Sequence, residues 1–108
     1  MNISPFLNGL KQRLADYKTR NGFTYFDHFE VAATEGKKYF KVFRCEVFAD
    51  GKQNHNSIVA FVDKLTGEIF KPATFSAPAK WARGNINSEF HGMEAIDESG
   101  FVKYLRGG

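Results

Sequence analysis

The sequence predicts an α+β fold: an N-terminal helix packed on an antiparallel sheet of four or five strands, with a short helix at Ala77–Arg83. Three observations carry this. Apolar residues recur at helical spacing near the N-terminus, they alternate at period two from Phe23 onward, and turn-forming clusters separate the apolar runs that follow.

The helix is expected to begin at Pro5, because Ser4 is able to cap free amides and a proline in the first turn gives up an amide that has no partner. Phe6, Leu7, Leu10, Leu14 and Tyr17 share one face, while Lys11, Arg13, Lys18 and Arg20 lie off it, and Asn21-Gly22 ends the run. The basic outer side is either an ordinary solvated face or a contact for phosphates. Gly9 costs the helix stability and marks the close approach of another backbone.

Phe23, Tyr25, Phe29 and Val31 then alternate with Thr24, His28 and Glu30, which reads as a strand bulged at Asp27. A turn at Thr34–Lys37 leads into a long strand from Lys38 to Phe48, and the two strands form a hairpin. In the second strand Tyr39, Phe43, Cys45 and Val47 face one way and Phe40, Val42 and Phe48 the other. Neither face is cleanly polar, so the strand is central with a helix on one side. A polar loop over Asp50–Asn56 precedes the apolar strand Ile58–Val62. Asp63-Lys64-Leu65-Thr66-Gly67-Glu68 is a second hairpin turn, with Gly67 at positive φ before the return strand Ile69-Phe70. Pro72 ends that strand or confines it to an edge. Ser76 is expected to cap the short helix, Pro78 to sit in its first turn, and Gly84 to close it in the left-handed conformation. Gly92 interrupts any helix between Ile86 and Ile96. Asp97–Gly100 is a turn, and Phe101–Leu105 is a final strand able to close the sheet.

A chain of 108 residues fits one domain, residues 1–108, and twelve Phe, four Tyr and one Trp must fill much of its core. The single Cys45 allows no internal disulfide and favours a cytoplasmic setting. The N-terminus lacks a basic segment followed by an apolar run, and no stretch approaches a membrane span, so a soluble protein without a membrane partner is expected. A net charge of +3 permits a polyanionic partner without demanding one.

Catalytic signatures are missing from the residue pattern. His28, His55, His91 and Cys45 stand singly, without metal-ligand spacing, so no metal site is expected. Cys45 lies in a strand between Phe43 and Val47, the setting of a small buried hydrophobe rather than a nucleophile. Asp97-Glu98 and Asp63 belong to turns, and the ten glycines form no phosphate-cradling loop. The expectation is a protein that is not an enzyme and carries no cofactor.

The stretch Lys71–Asn85 is different. No acidic residue occurs between Glu68 and Glu89, whereas Lys71, Lys80 and Arg83 lie between them. Phe75 and Trp81 add rings and Asn85 adds a donor, and rings beside cations are what hold single-stranded nucleic acid. The backbone amides at the Ser76 helix start would add an anion site. The same rings would equally serve to pack the short helix onto the sheet, and their exposure decides between the two.

The run Ala60-Phe61-Val62-Asp63-Lys64-Leu65-Thr66-Gly67-Glu68-Ile69-Phe70-Lys71-Pro72-Ala73-Thr74-Phe75-Ser76-Ala77-Pro78-Ala79-Lys80, continuing through Arg83-Gly84-Asn85-Ile86, resembles a family of short, uncharacterised tailed-bacteriophage proteins. Members usually carry Trp where this chain has Phe75, so a ring is kept although an indole amide is not. The resemblance is strongest from Lys38 to Ile86. It implies a phage or prophage origin and brings no activity. The expected function is therefore an accessory protein that binds nucleic acid through Lys71, Phe75, Lys80, Trp81, Arg83 and Asn85. The alternative is a module that binds and modulates a host or phage enzyme, with Trp81 and Arg83 as anchors.

Overall fold

The computed structural model describes residues 2–54 and 56–104. His55 and Leu105, which figure in the sequence expectations above, lie outside the described residues. Helix α1 (Ser4–Asn21) is followed by strands β1 (His28–Glu35), β2 (Tyr39–Val47), β3 (Ser57–Asp63), β4 (Glu68–Phe70) and β5 (Gly84–Asn85), with a 3-10 turn at Met93–Ala95. The strands form one antiparallel sheet in the order β1-β2-β3-β4-β5, so each strand pairs with its neighbour in sequence. The expected α+β architecture is the one observed. Among the described residues no helix is long and apolar enough to cross a membrane.

Helix α1 buries Phe6, Leu10 and Leu14 completely, against Phe29, Val42, Val62 and Ile69 of the sheet. Removing each such side chain from water contributes about 1.5–3 kcal/mol, which fixes the helix to one face. Ser4 is the first helical residue and not the cap. Its own amide is taken by Asn2 Oδ1 at 3.0 Å, and Pro5 needs no acceptor. What approaches Gly9 is the side chain of Met93 rather than a backbone: a Cβ at Gly9 would lie 2.8 Å from Met93 Cγ. The C-terminal segment closes the core with Ile86, Ala95, Ile96 and Val102. It is held by arginines: Arg13 donates to Ile96 O and Asp97 O, Arg20 to Glu98 O and Arg44 to Ser99 O.

The first strand begins later than its alternation suggests. Residues 23–27 run irregularly, and the rings of Tyr17, Phe23, Tyr25, Phe26 and Phe29 pack on one another there. The β2–β3 register shifts between Val42 and Phe43, which pair with Ala60 and Ile58, so Val59 is the extra residue of a bulge. Val59 and Ala60 both join the core as a result. Gly67 holds φ 80° at the β3–β4 turn, as expected, and the carboxylate of Asp63 accepts the Leu65 and Thr66 amides. Of the expected final strand Phe101–Leu105, the described residues Phe101–Tyr104 supply no sixth strand: Val102 makes only an isolated bridge to Ile96.

The expected helix at Ala77–Arg83 is absent, and in its place β4 and β5 extend into an irregular hairpin, here termed the arm. Pro72 and Pro78 face each other across it, and Ala73 and Thr74 amides donate to Ala77 O at 2.9 and 3.1 Å. Ala79 N donates to Lys71 O, and Arg83 N to Ile69 O, both at 2.7 Å. A seven-residue helix is marginal on its own. The hairpin instead gives these amides partners on β4, which would otherwise present an unpaired edge. Thr74 Oγ1, not Ser76, accepts the Ser76 and Ala77 amides. Gly84 takes no left-handed conformation. It is small because a Cβ there would meet Glu94 Oε2 at 2.7 Å and Ala95 Cβ at 2.9 Å.

Three carboxylates brace the turns. Hydrogen bonds, first from the Thr66 amide, hold Asp63 below the usual carboxylate range. At Glu94 and Asp97 burial raises the pKa, but hydrogen bonds outweigh it and the net shift is downward. Asn85 N and the Ser88 hydroxyl donate to Glu94; the Ser99 hydroxyl and the Phe101 and Ser99 amides donate to Asp97. A depressed folded pKa stabilises fully above the unfolded value, near 4, and the gain is lost as pH falls through the folded value. The melting temperature should therefore drop on acidification below about pH 4. A melting temperature that stays flat down to about pH 2 would contradict these bonds.

Candidate functional site

The sheet has two unlike faces. Helix α1 and the 3-10 turn both pack on the core side. On the other face Tyr39, Phe43, Phe61, Phe70 and Phe75 come together without a covering helix among the described residues. Tyr39 meets Phe61 and Phe70 edge-on, with centroids 5.6 and 6.1 Å apart, and Phe43 meets Phe75 at 5.8 Å. Phe61 and Phe43 are buried, while Phe75, at the tip of the arm, is 58% exposed. Lys41 lies among these rings, its Nζ 4.8 Å from the Phe75 centroid and 5.7 Å from that of Phe61. Strand alternation explains the grouping: residues 39, 41 and 43 project to one side of β2.

The arm carries the second exposed ring. Its return strand takes four residue steps from Ala79 to Arg83 where β4 takes two from Lys71 to Ile69, so Lys80-Trp81-Ala82 bulges outward. Trp81 sits in this bulge at φ 72° and is 70% exposed. A bulky residue in the left-handed region costs on the order of 1–2 kcal/mol, and a strained, solvent-facing indole is a place to look for function. Lys80 beside it is exposed. Arg83 closes the bulge, and among the described residues its Nε and Nη1 are buried without a hydrogen-bond partner.

Of the six residues singled out by sequence, Phe75, Lys80, Trp81 and Arg83 thus lie along the arm. Lys71 and Asn85 are engaged elsewhere. Lys71 Nζ donates to Val102 O at 2.8 Å and rests 4.0 Å from the Tyr104 ring centroid. Asn85 donates to Thr66 O and accepts the Asn87 amide, which ties β5 to the β3–β4 turn.

Among the described residues the remaining titratable groups show no convergence. His28 lies between Asp27 and Glu30, at 2.7 and 3.1 Å. The Cys45 thiol is buried, and burial pushes its pKa up. Among the described residues no group of His, Cys, Asp and Glu is placed to hold a metal ion. In the hollow formed by Tyr17, Tyr25, Glu46 and Asn54, the Glu46 carboxylate is already engaged by the Tyr25 hydroxyl and the Asn54 amide.

Compared with known sequences, residues 6–105 match a family of unknown function, DUF7717. The chain belongs to this family. No significant match was found among curated proteins or among solved structures. The family therefore brings a shared fold without an activity, and the site has to be read from its own geometry.

That geometry adds residues the sequence reading passed over in this DUF7717 member. Lys37, Lys38 and Lys41 line a cleft between the β1–β2 turn and the arm tip, along with Tyr39, Phe61 and Ser76. The signal for Lys41 was present, since it falls on the Tyr39–Phe43 face at period two. The link to Ser76 was not, because it depends on the arm folding back over the sheet.

Proposed function

We propose that this protein is a small, non-enzymatic accessory protein that binds single-stranded nucleic acid along the arm and the adjoining open sheet face. The observation that carries the reading is the exposure of Phe75 and Trp81 on an element that also presents Lys80, with the half-buried Arg83 at the foot of the same bulge. Exposed rings are costly to solvate, and Phe75 and Trp81 stay more than half exposed even though Phe75 packs in part on Phe43, whereas bases stack on such rings and contribute about 1–3 kcal/mol each. Cations interleaved with the rings supply the attraction for phosphates, and the acid-free stretch between Glu68 and Glu89 leaves that attraction unopposed locally. The resemblance to short bacteriophage proteins fits a phage-encoded factor working in the host cytoplasm.

Trp81 is its own reporter. Titration with a short oligothymidylate should quench its emission at low salt, and the affinity should fall steeply as salt rises. Unchanged emission and no complex at low salt would rule the reading out. Trp81 and Arg83 also have the character of protein-interface anchors, and the strained, exposed indole favours that second reading. It predicts a stoichiometric protein partner that survives nuclease treatment and is lost on Trp81→Asn.

A further inference from the structure

We infer that the cleft between the β1–β2 turn and the arm tip is a phosphodiester subsite, where Lys37, Lys38 and Lys41 hold the backbone of a strand whose bases stack on Phe75 and Trp81. The inference deepens the nucleic-acid reading above and rests on it.

Charge is the first argument. The cleft encloses about 340 Å³ and is lined by Lys37, Lys38, Lys41, Tyr39, Phe61 and Ser76. Its acidic wall is Glu35, whose carboxylate accepts Lys64 Nζ at 2.6 Å, and that bond holds Glu35 below the usual carboxylate range. Glu35 thus stays ionised but paired with Lys64, and Asp63, the acid near Lys38, is engaged by the Leu65 and Thr66 amides, so the cleft lysines are left to face an anion. The volume lies at the low end for a ligand site, which suits one segment of a polymer passing through.

Position is the second argument. Lys41 Nζ stands over the Phe75 ring, so a phosphate drawn to Lys41 lies next to a base stacked on Phe75. Tyr39 continues the row of rings toward Lys38, whose Nζ is 5.4 Å from the Tyr39 centroid. Cations and rings alternate along β2 as phosphates and bases alternate along a strand. An acidic peptide would satisfy the lysines but would leave the rings without stacking partners.

The test uses the Lys37→Gln/Lys38→Gln/Lys41→Gln variant and a fluorescein-labelled oligothymidylate, followed by anisotropy across a salt titration. Each phosphate neutralised on a single strand contributes about 0.7 to the slope of log affinity against log salt, so the variant's slope should be shallower by about 2. Its affinity should be about a hundredfold weaker at 0.1 M salt and should approach wild type near 1 M. The double variant Lys37→Gln/Lys38→Gln changes only exposed turn residues and leaves Lys41 and the buried rings in place, giving up one exposed cation–ring contact at Tyr39; its slope should fall by about 1.4. If the wild type binds and both variants keep its slope, the subsite is wrong while the arm reading stands. If the wild type binds no oligonucleotide, both fail together. Displacement of the oligonucleotide by polyglutamate of matched charge, at matched affinity, would also overturn the phosphodiester assignment.

Discussion

Replacing Gly92 by alanine is expected to lower the melting temperature by about 10–30 °C. Gly92 is buried at φ 90°. A Cβ there would lie 2.5 Å from Ile69 Cδ1, 3.1 Å from Phe6 Cδ1 and 3.3 Å from Ile86 Cα. The left-handed conformation costs an L-residue about 1–2 kcal/mol, and forced overpacking costs about 1–3 kcal/mol more. The entropy gained by stiffening the unfolded chain returns less than 1 kcal/mol, roughly. Phe6 and Ile69 are both fully buried, one on α1 and the other on β4, so neither side chain has free space to retreat into. Gly9→Ala provides the contrast. Its methyl would also collide, at 2.8 Å from Cγ, but with the unbranched, flexible side chain of Met93, and alanine favours the helix by about 1 kcal/mol. Thermal melts followed by circular dichroism should show a large drop for Gly92→Ala and a change within a few degrees for Gly9→Ala. Equal drops would mean that crowding at the helix–sheet seam does not govern stability.

The contrast between α1 and the arm shows what the chain order makes readable. Helix α1 and both hairpins rest on periodicity and turns within a few residues of one another, and Phe6, Leu10 and Leu14 occupy the core their spacing predicts. The arm depends on non-local bonds. Ser76, Pro78 and Gly84 are valid helix signals, yet each is equally at home in a hairpin. What decides is that the amides of Ala79 and Arg83 find carbonyls on Lys71 and Ile69 across the tip. Lys71 shows the same limit from the side of function. As a cation next to an aromatic stretch it reads as a phosphate contact, but its ammonium caps a carbonyl at Val102, thirty-one positions away. Phe75 and Trp81 were ambiguous between core and partner, and the same hairpin that displaced the short helix also turned both rings outward.

Trp81→Asn should separate function from stability. Asparagine is among the non-glycine residues that best tolerate the left-handed region, so relief of strain at φ 72° offsets the little packing a 70% exposed ring provides. The melting temperature should hold or rise slightly. Oligothymidylate affinity, read by anisotropy, should fall by about 5- to 150-fold, the equivalent of one lost stacking interaction of 1–3 kcal/mol. Phe75→Ala should behave differently, because that ring also packs on Phe43 and under Lys41, and both stability and affinity should decline. A Trp81→Asn variant that melts several degrees lower and binds like wild type would show the indole to be a structural plug. A variant as stable as wild type that no longer binds would mean that the bulge holds Trp81 in its strained position for the ligand, since nothing in the fold itself benefits from a left-handed tryptophan facing water.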